Sequence, residues 1–381
     1  MSSGLNRALK HAKIPAIRFS MKSASNVAEQ NLDPVERVGG VVPRLLFWFF
    51  FFIPGLGYAQ QPGVRNIQNI FDPLSKPAQL IHITAALTLL VCFGIFVIVA
   101  GLLFYAVWRY RRKGPEDDNE EPPQVYGSAA IELAWTVPPL LIVTMLILAT
   151  ARTVGEVQNA KFPDDALQIT IVGHRFWWEV RYPQFNVVTA NEIHVPVSYL
   201  SAPRPVNMTL ESADVVHGFW VPQLNGKTWL VPNRKNQMWI QPTSLGTFVG
   251  NCTVFCGPQH ANMLIRVMVQ PPDDFFDWVT QQQAPPMARP AGEEGKKAFV
   301  ANSCGTCHRI GGTATDGVFG PDLTHFASRE TLGSGVAPNN DENLRLWLRN
   351  PQTLKPGCLM PDMRLDDKQI DEILTYLKGL K

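Results

Sequence analysis

Cys252-Thr-Val-Phe-Cys256-Gly-Pro-Gln-His260-Ala-Asn-Met263 brings two thiols, an imidazole and a thioether into one short stretch. These are soft donors, the kind that copper selects over harder metals. A mononuclear blue-copper site would use one Cys, one neighbouring His, a weak axial Met and a second His from elsewhere, so this stretch has a cysteine to spare. Two thiolates four residues apart can each bridge two metal ions, the arrangement of a binuclear CuA centre. A disulfide between Cys252 and Cys256 in an oxidising compartment is the alternative, and it accounts for the cysteines alone. A second imidazole should come from an earlier strand. His217, in Asp214-Val-Val-His217-Gly-Phe-Trp220, follows a strand-like run from Val206 to Glu211. Beside an incomplete ligand set it reads as a ligand rather than as an interior histidine.

A second chemistry-bearing motif is Cys304-Gly-Thr-Cys307-His308. This is the c-type haem attachment signature: two thiols add covalently to the haem vinyl groups and the adjacent His becomes the proximal ligand. A sixth ligand of the Met type would raise the potential relative to a second His. Met287, Met360 and Met363 compete for that place, with His325 as a further candidate. Cys358 has no assigned part and reads as a free buried thiol.

These motifs need positioning elements, and the chain supplies several in succession. With 381 residues it is long enough for two or three domains. Its net charge of +2 points to no nucleic-acid partner, and six cysteines are too few for a disulfide scaffold. A basic N-terminal stretch, an apolar block from Leu45 to Ile53 and the small residues of Gly57-Tyr58-Ala59 read as a signal peptide over 1–59, cleaved after Ala59; a start at Met21 stays open. Export removes a cytoplasmic redox or zinc role for the Cys-x-x-Cys-His motif. Two apolar runs, from Leu80 to Trp108 and from Ala129 to Ala151, exceed the length that spans a bilayer and form a transmembrane helix hairpin over 78–152. Arg109, Arg111, Arg112 and Lys113 lie between them, so the connecting loop is cytoplasmic and everything after Arg152 is exported.

From 161 to 280 short alternating runs separated by Pro, Gly and Asn indicate antiparallel strands in a sandwich. Residues 281–291, rich in Gln, Pro and Ala, read as a linker. Residues 292–381 form a last unit that ends in an amphipathic helix from Asp366 to Lys378.

Ile131-Glu132-Leu-Ala-Trp135-Thr136-Val-Pro-Pro139 resembles the start of the second transmembrane helix in subunit II of haem-copper oxidases. Residues from roughly 78 to 280 resemble that subunit throughout, and the copper loop is among its most specific motifs. Lys355-Pro-Gly-Cys-Leu-Met360-Pro361 and Gly320-Pro321-Asp-Leu323 resemble the axial-methionine and proline loops of class I cytochromes c. The combination resembles caa-type oxidases, whose subunit II carries a fused cytochrome. The resemblance implies a multi-domain chain: a two-helix transmembrane hairpin, an all-β cupredoxin-like sandwich and an all-α class I cytochrome c domain.

It also implies site residues. Cys252 and Cys256 would bridge two coppers, His217 and His260 would each bind one, and Met263 and the Val254 carbonyl would be weak axial ligands. Cys304 and Cys307 would hold haem c covalently, with His308 and Met360 as its axial ligands. Glu132 would mark the mouth of a proton channel. In the Gly173-His174-Arg175-Phe176-Trp177-Trp178-Glu179 stretch, Phe176 or Trp177 would mark where electrons arrive; the alternative is that these rings fill the core. Most relatives carry Glu where this chain has Val254, and that Glu also helps to hold magnesium, so no magnesium site involving this chain is expected.

The implied function is subunit II of a respiratory cytochrome c oxidase in the bacterial inner membrane, with its soluble domains on the periplasmic side. Electrons would pass from haem c through CuA to the haem-copper site of subunit I, for dioxygen reduction coupled to proton translocation. Partners would be subunit I, other oxidase subunits, the membrane, and an upstream cytochrome c or bc-type complex. No residue of this chain would act on bonds of a substrate, so catalysis belongs to the complex. An electron-transfer subunit of a CuA-containing nitric oxide reductase is the alternative. Nitrous oxide reductase would need a His-rich domain, against eight histidines in all, and a copper-free quinol oxidase subunit would lack the copper ligands.

Overall fold

The computed structural model describes residues 64–65, 68–112, 124, 126–199, 201–286 and 292–381; the expected signal peptide and residues 287–291 of the expected linker, Met287 among them, lie outside these. Two long helices come first, α1 (Lys76–Arg109) and α2 (Ala129–Gln158), each long and apolar enough to cross a membrane. Their apolar side chains face outward, as lipid-exposed helices require. Pro138 and Pro139 lie inside α2, which continues through them. Such residues break helices in water, whereas membrane helices tolerate them because neighbouring groups take up the freed carbonyls. The hydroxyls of Thr84 and Thr153 meet at 2.6 Å between the two helices.

The hairpin is tied to the next domain at one end. The Trp239 indole donates to the Val157 carbonyl (2.7 Å), the Gln241 amide to Ser75 Oγ (2.9 Å) and the Leu74 amide to the Gln223 carbonyl (2.9 Å). These bonds hold the last turn of α2 and the start of α1 against one face of a β-sandwich.

One sheet of that sandwich contains β4 (Val187–Ala190), β3 (Trp177–Tyr182), β2 (Leu167–His174), β6 (Val206–Ser212) and β9 (Asn236–Ile240), in that spatial order. The other runs β5 (Glu192–Pro196), β11 (Leu264–Gln270), β10 (Gly246–Cys252), β7 (His217–Trp220) and β8 (Thr228–Leu230), with the short β1 (Val64–Arg65) also pairing with β10. Alternate residues point inward, as in Ile169, Ile171, Val206, Met208 and Leu210, and Trp178, Tyr182, Phe219 and Phe248 fill the space between the sheets.

The expected all-strand domain ends instead in a helix, α3 (Pro272–Gln283), whose Phe275, Trp278 and Val279 complete the same core. Pro at the first helical position and Asp273 and Asp274 in the first turn are standard helix-opening chemistry. Gln281, Gln282 and Gln283 therefore belong to this helix, and Gln283 donates to the Phe185 carbonyl (2.7 Å).

The last domain packs α4 (Glu293–Ala301), α5 (Asp341–Arg349) and α6 (Asp367–Gly379) around Phe299, Leu344, Leu348, Ile370, Ile373 and Leu377. Asp366 and Gln369 close α6 with a capping box. Its remaining ladder joins β12 (Thr331–Leu332) to β13 (Ala337–Pro338). Sandwich and helical domain belong to one compact unit, 59–381.

Candidate metal centre and haem-attachment site

Strand pairing assembles the sulfur and nitrogen donors at one edge of the sandwich. β10 ends at Cys252 and β11 begins at Leu264, so the loop between them carries Cys256, His260 and Met263. β7 pairs with β10 through Phe219 and Cys252, which brings His217, at the start of β7, beside that loop. The Cys252 and Cys256 sulfurs lie 3.9 Å apart and are not bonded. His217 Nδ1 is 3.9 Å from Cys252 Sγ, and His260 Nδ1 is 3.7 Å from Cys256 Sγ. Met263 Sδ is 3.9 Å from Cys256 Sγ, and the Val254 carbonyl accepts from Cys252 Sγ at 3.2 Å. All six residues singled out in this region thus converge, and His217, Cys252 and Met263 are almost fully shielded from solvent.

The loop's path depends on Gly257. It has φ of +134°, and a Cβ there would lie 2.9 Å from the Phe176 ring. Phe176 is therefore the floor of the loop, part of the core cluster, while Trp178 donates its indole N–H to the Met263 carbonyl (3.4 Å).

The two thiols share a hydrogen bond that pushes the Cys252 pKa down and the Cys256 pKa up, so the pair gives up one proton readily and holds the other. Burial is the largest single influence on His217 and opposes its charge, but the hydrogen bonds and charges of Asp214 (Oδ1 at 2.8 Å) and Cys252 together outweigh it and raise the pKa. Burial likewise works against the Asp214 carboxylate; bonds from His217 and from the backbone N–H groups of Val215 (2.6 Å) and Arg175 (2.7 Å) keep its pKa low. Asp214 thereby fixes the ring that presents Nδ1 to the sulfurs. Its position three residues before His217 was the available sequence signal.

In the helical domain Cys304 opens a single 3-10 turn and both thiols are half-buried and unbonded. His308 Nδ1 donates to the Pro321 carbonyl (2.8 Å), which orients the ring and would leave Nε2 to meet a metal. A Cβ on Gly320 would stand 2.5 Å from the His308 ring, so only glycine allows the proline loop to lie this close. Burial lowers the His308 pKa, favouring the neutral ring that a metal takes. The Trp347 indole donates to Met360 Sδ at 3.2 Å. His325 is buried, and neither ring nitrogen has a hydrogen-bond partner among the described residues. Cys358 is half-buried and receives a bond from Gln352.

A cavity of about 550 Å³ opens where the two domains meet, lined by His174, Trp177 and Arg175 on one side and Arg309, Phe319 and Leu359 on the other. Trp177 stacks on His174 with centroids 4.2 Å apart and stays out of the core cluster, so Phe176 and Trp177 divide their tasks: one floors the copper loop, the other faces the cavity. Glu132 sits in the first turn of α2, at the opposite end from Val157, roughly 37 Å along the helix.

The domain joint is polar and buried. Leu264 N donates to the Ser334 carbonyl (3.1 Å) and Ser334 Oγ to the Leu264 carbonyl (2.6 Å). The carboxylate of Glu192, 2% exposed, accepts from the Glu330 and Thr331 amides (both 3.0 Å) and from Thr331 Oγ1 (3.1 Å). Lys355 approaches from the other side, and burial pulls its pKa down to about 7. Neither Glu192 nor Lys355 carried a sequence signal.

Three family profiles match the chain in order. They are the transmembrane domain of cytochrome c oxidase subunit II over 66–151, its periplasmic domain over 199–270, and cytochrome c over 292–381. Cytochrome c oxidase subunit 2 of Alkalihalophilus pseudofirmus is 35% identical over 329 residues, covering 84% of this chain and 92% of the relative. The chain belongs to the cytochrome c oxidase subunit 2 family. The subunit 2 of Bacillus sp. strain PS3 is 33% identical over 293 residues, 71% of this chain and 79% of that one. Quinol oxidase subunit 2 of Bacillus subtilis is 26% identical over 210 residues, covering 53% and 64%. As a subunit 2, the chain is part of a haem-copper oxidase complex, anchored in a membrane by α1 and α2 and carrying a cupredoxin-like sandwich and a cytochrome c domain.

Proposed function

We propose that this subunit carries electrons from a covalently bound haem c through a binuclear CuA centre to the haem-copper site of subunit I, where dioxygen is reduced to water with proton translocation. Cys252 and Cys256 would hold the two coppers between them, with His217, His260, Met263 and the Val254 carbonyl completing the set. Cys304 and Cys307 would bind haem c, with His308 and Met360 on its iron. When bound, the two groups supply one-electron carriers.

The observation that carries this reading is the pair of unbonded sulfurs 3.9 Å apart, each with a histidine Nδ1 within 3.9 Å. Two thiols, two imidazoles, a thioether and a carbonyl are the soft set that suits copper. A lone disulfide would leave both histidines and Met263 without a purpose. For haem, Gly320 leaves room for the proline loop against His308, and the Pro321 carbonyl fixes the ring tautomer.

The chain's own residues define the rest. Donors fixed to strand ends move little when charge changes, which keeps reorganisation small. Trp177, on the seam cavity, is favoured over Phe176 as the residue on the electron path. Arg109 ends α1 and Arg111 and Arg112 follow it, which supports a cytoplasmic loop and exported domains in the bacterial inner membrane. Glu132, in the first turn of α2 beside that loop, would then serve proton uptake. A tethered cytochrome supplies a high local concentration of donor, so the upstream cytochrome c or bc-type complex need only reduce haem c.

Electron paramagnetic resonance of the purified complex tests the copper assignment. Hyperfine structure from two equivalent copper nuclei is expected; a single-nucleus pattern overturns it.

A further inference from the structure

Lys355 is a lysine with 2% of its surface exposed, buried in the joint between the two soluble domains. Its ammonium donates to three main-chain oxygens: that of Phe176 (2.8 Å), that of Asn262 (2.9 Å) and that of Gly333 (2.6 Å). Three protons meet three acceptors, so the protonated form is fully hydrogen-bonded and part of its desolvation is offset. The acceptors come from three separate places. Phe176 floors the copper loop, Asn262 precedes Met263, and Gly333 lies in the turn between β12 and β13.

The segment that carries Lys355 is the one that leads to Met360. It lies directly on the copper loop: Gln259 donates through Nε2 to the Pro356 carbonyl, and a Cβ on Gly357 would sit 3.2 Å from Pro258. Hydrophobic packing would be the simpler way to hold such a joint, since an apolar side chain in place of a buried charge is often neutral or stabilising. A charge at this point therefore calls for a reason beyond adhesion, and directionality is one: an ammonium with three bonds admits a single placement of the segments it joins.

We propose that Lys355 is a positioning residue for electron transfer between the two redox sites, fixing the methionine-bearing loop of the cytochrome domain against the copper loop through three backbone carbonyls. The inference rests on the electron route given above. The electron leaves reduced haem c and reduces the copper pair, and Lys355 neither gains nor loses it. Its part is to set the approach on which tunnelling depends steeply.

The test uses the intact oxidase complex with Lys355→Met, which keeps an unbranched side chain one atom shorter and removes all three donors. Haem and copper contents, the two-copper resonance and the reduction of haem c by a small soluble reductant should match the native complex. Transfer from haem c to copper should slow by at least about tenfold, the scale of one lost charge-assisted hydrogen bond. Hydrogen exchange of the Leu264 amide, which bonds to Ser334 across the joint, should quicken by a similar factor while α6 is unchanged. A rate within about twofold of native with both centres loaded overturns the proposal, and so does slow transfer with unchanged exchange. Should Lys355→Met fail to assemble, Lys355→Gln, with two donors left, carries the same test with a smaller slowing, and a native rate there is equally decisive. Absence of the two-copper resonance from the native complex would instead sink the electron route, leaving the exchange measurement to report on the joint.

Discussion

The two redox regions hold their donors in opposite ways. At the sandwich edge each donor is a neighbour of another donor: both sulfurs touch, each meets a histidine, and Met263 and the Val254 carbonyl close on the same point. In the cytochrome domain His308 and Met360 do not touch each other's supports: each is steadied by a group outside the set, the Pro321 carbonyl and the Trp347 indole, as Asp214 steadies His217 at the sandwich edge. A converging site shares its members and fails as a unit, whereas a site with separate supports can lose one member and keep the others.

The largest expected effect follows from removing a shared member. Cys252→Ser should abolish the two-copper resonance outright while leaving haem c absorbance and covalent attachment intact; a surviving two-nucleus pattern breaks the contrast. Next comes Met360→Ala. The haem should stay bound through Cys304 and Cys307, but the thioether-to-iron charge-transfer band should vanish, and the potential should fall by on the order of 0.1 V, a part of the roughly 0.8 V that axial ligands span. Survival of the band would move the ligand role elsewhere, to Met363 or His325.

Asp214→Asn keeps the size of the side chain that orients His217 and removes its charge. Copper affinity in a chelator competition should drop about 10–100-fold, and the raised pKa of His217 should fall with it. An unchanged affinity would mean that β7 alone aims the ring.

A further effect concerns the scaffold and leaves both centres untouched. His194 stacks on Trp278 at 4.1 Å, and burial holds its pKa down to about 4. Since its folded pKa lies below the unfolded value near 6.5, the unfolded chain binds the extra proton first. Its contribution is whole above about pH 6.5 and is lost as pH falls toward 4, up to about 3 kcal/mol. Denaturation of the complex followed by near-ultraviolet circular dichroism should show that slope, and His194→Phe should flatten it.

Much of this was legible because the chemistry is local. Cys252, Cys256, His260 and Met263 fall within one loop, so their types announce the site, and the alternation of Ile169, Ile171, Val267 and Val269 announces the sheets that carry it. His217 was reachable because an incomplete set demanded one more imidazole. α3 was missed because its Phe275, Trp278 and Val279 are too few to show a period beside strands that end at Gln270. Lys355 was illegible for a different reason. Its acceptors are carbonyls 22 to 179 residues away, and every residue type has one.

That same fact bears on how the joint tolerates change. Because the ammonium meets only main-chain oxygen, its own bonds ask nothing of the side chains of Phe176 and Asn262; Asn262 contributes separately, donating through Nδ2 to Gln259 Oε1 (2.7 Å), whose amide bonds to Pro356 across the joint. In a saturation library position 355 should be sharply restricted, and position 262 should favour residues that can still hold Gln259. Two domains fused in this manner are free to drift over most of their shared face while a few buried polar side chains, Lys355, Glu192 and Ser334 among them, keep them in register.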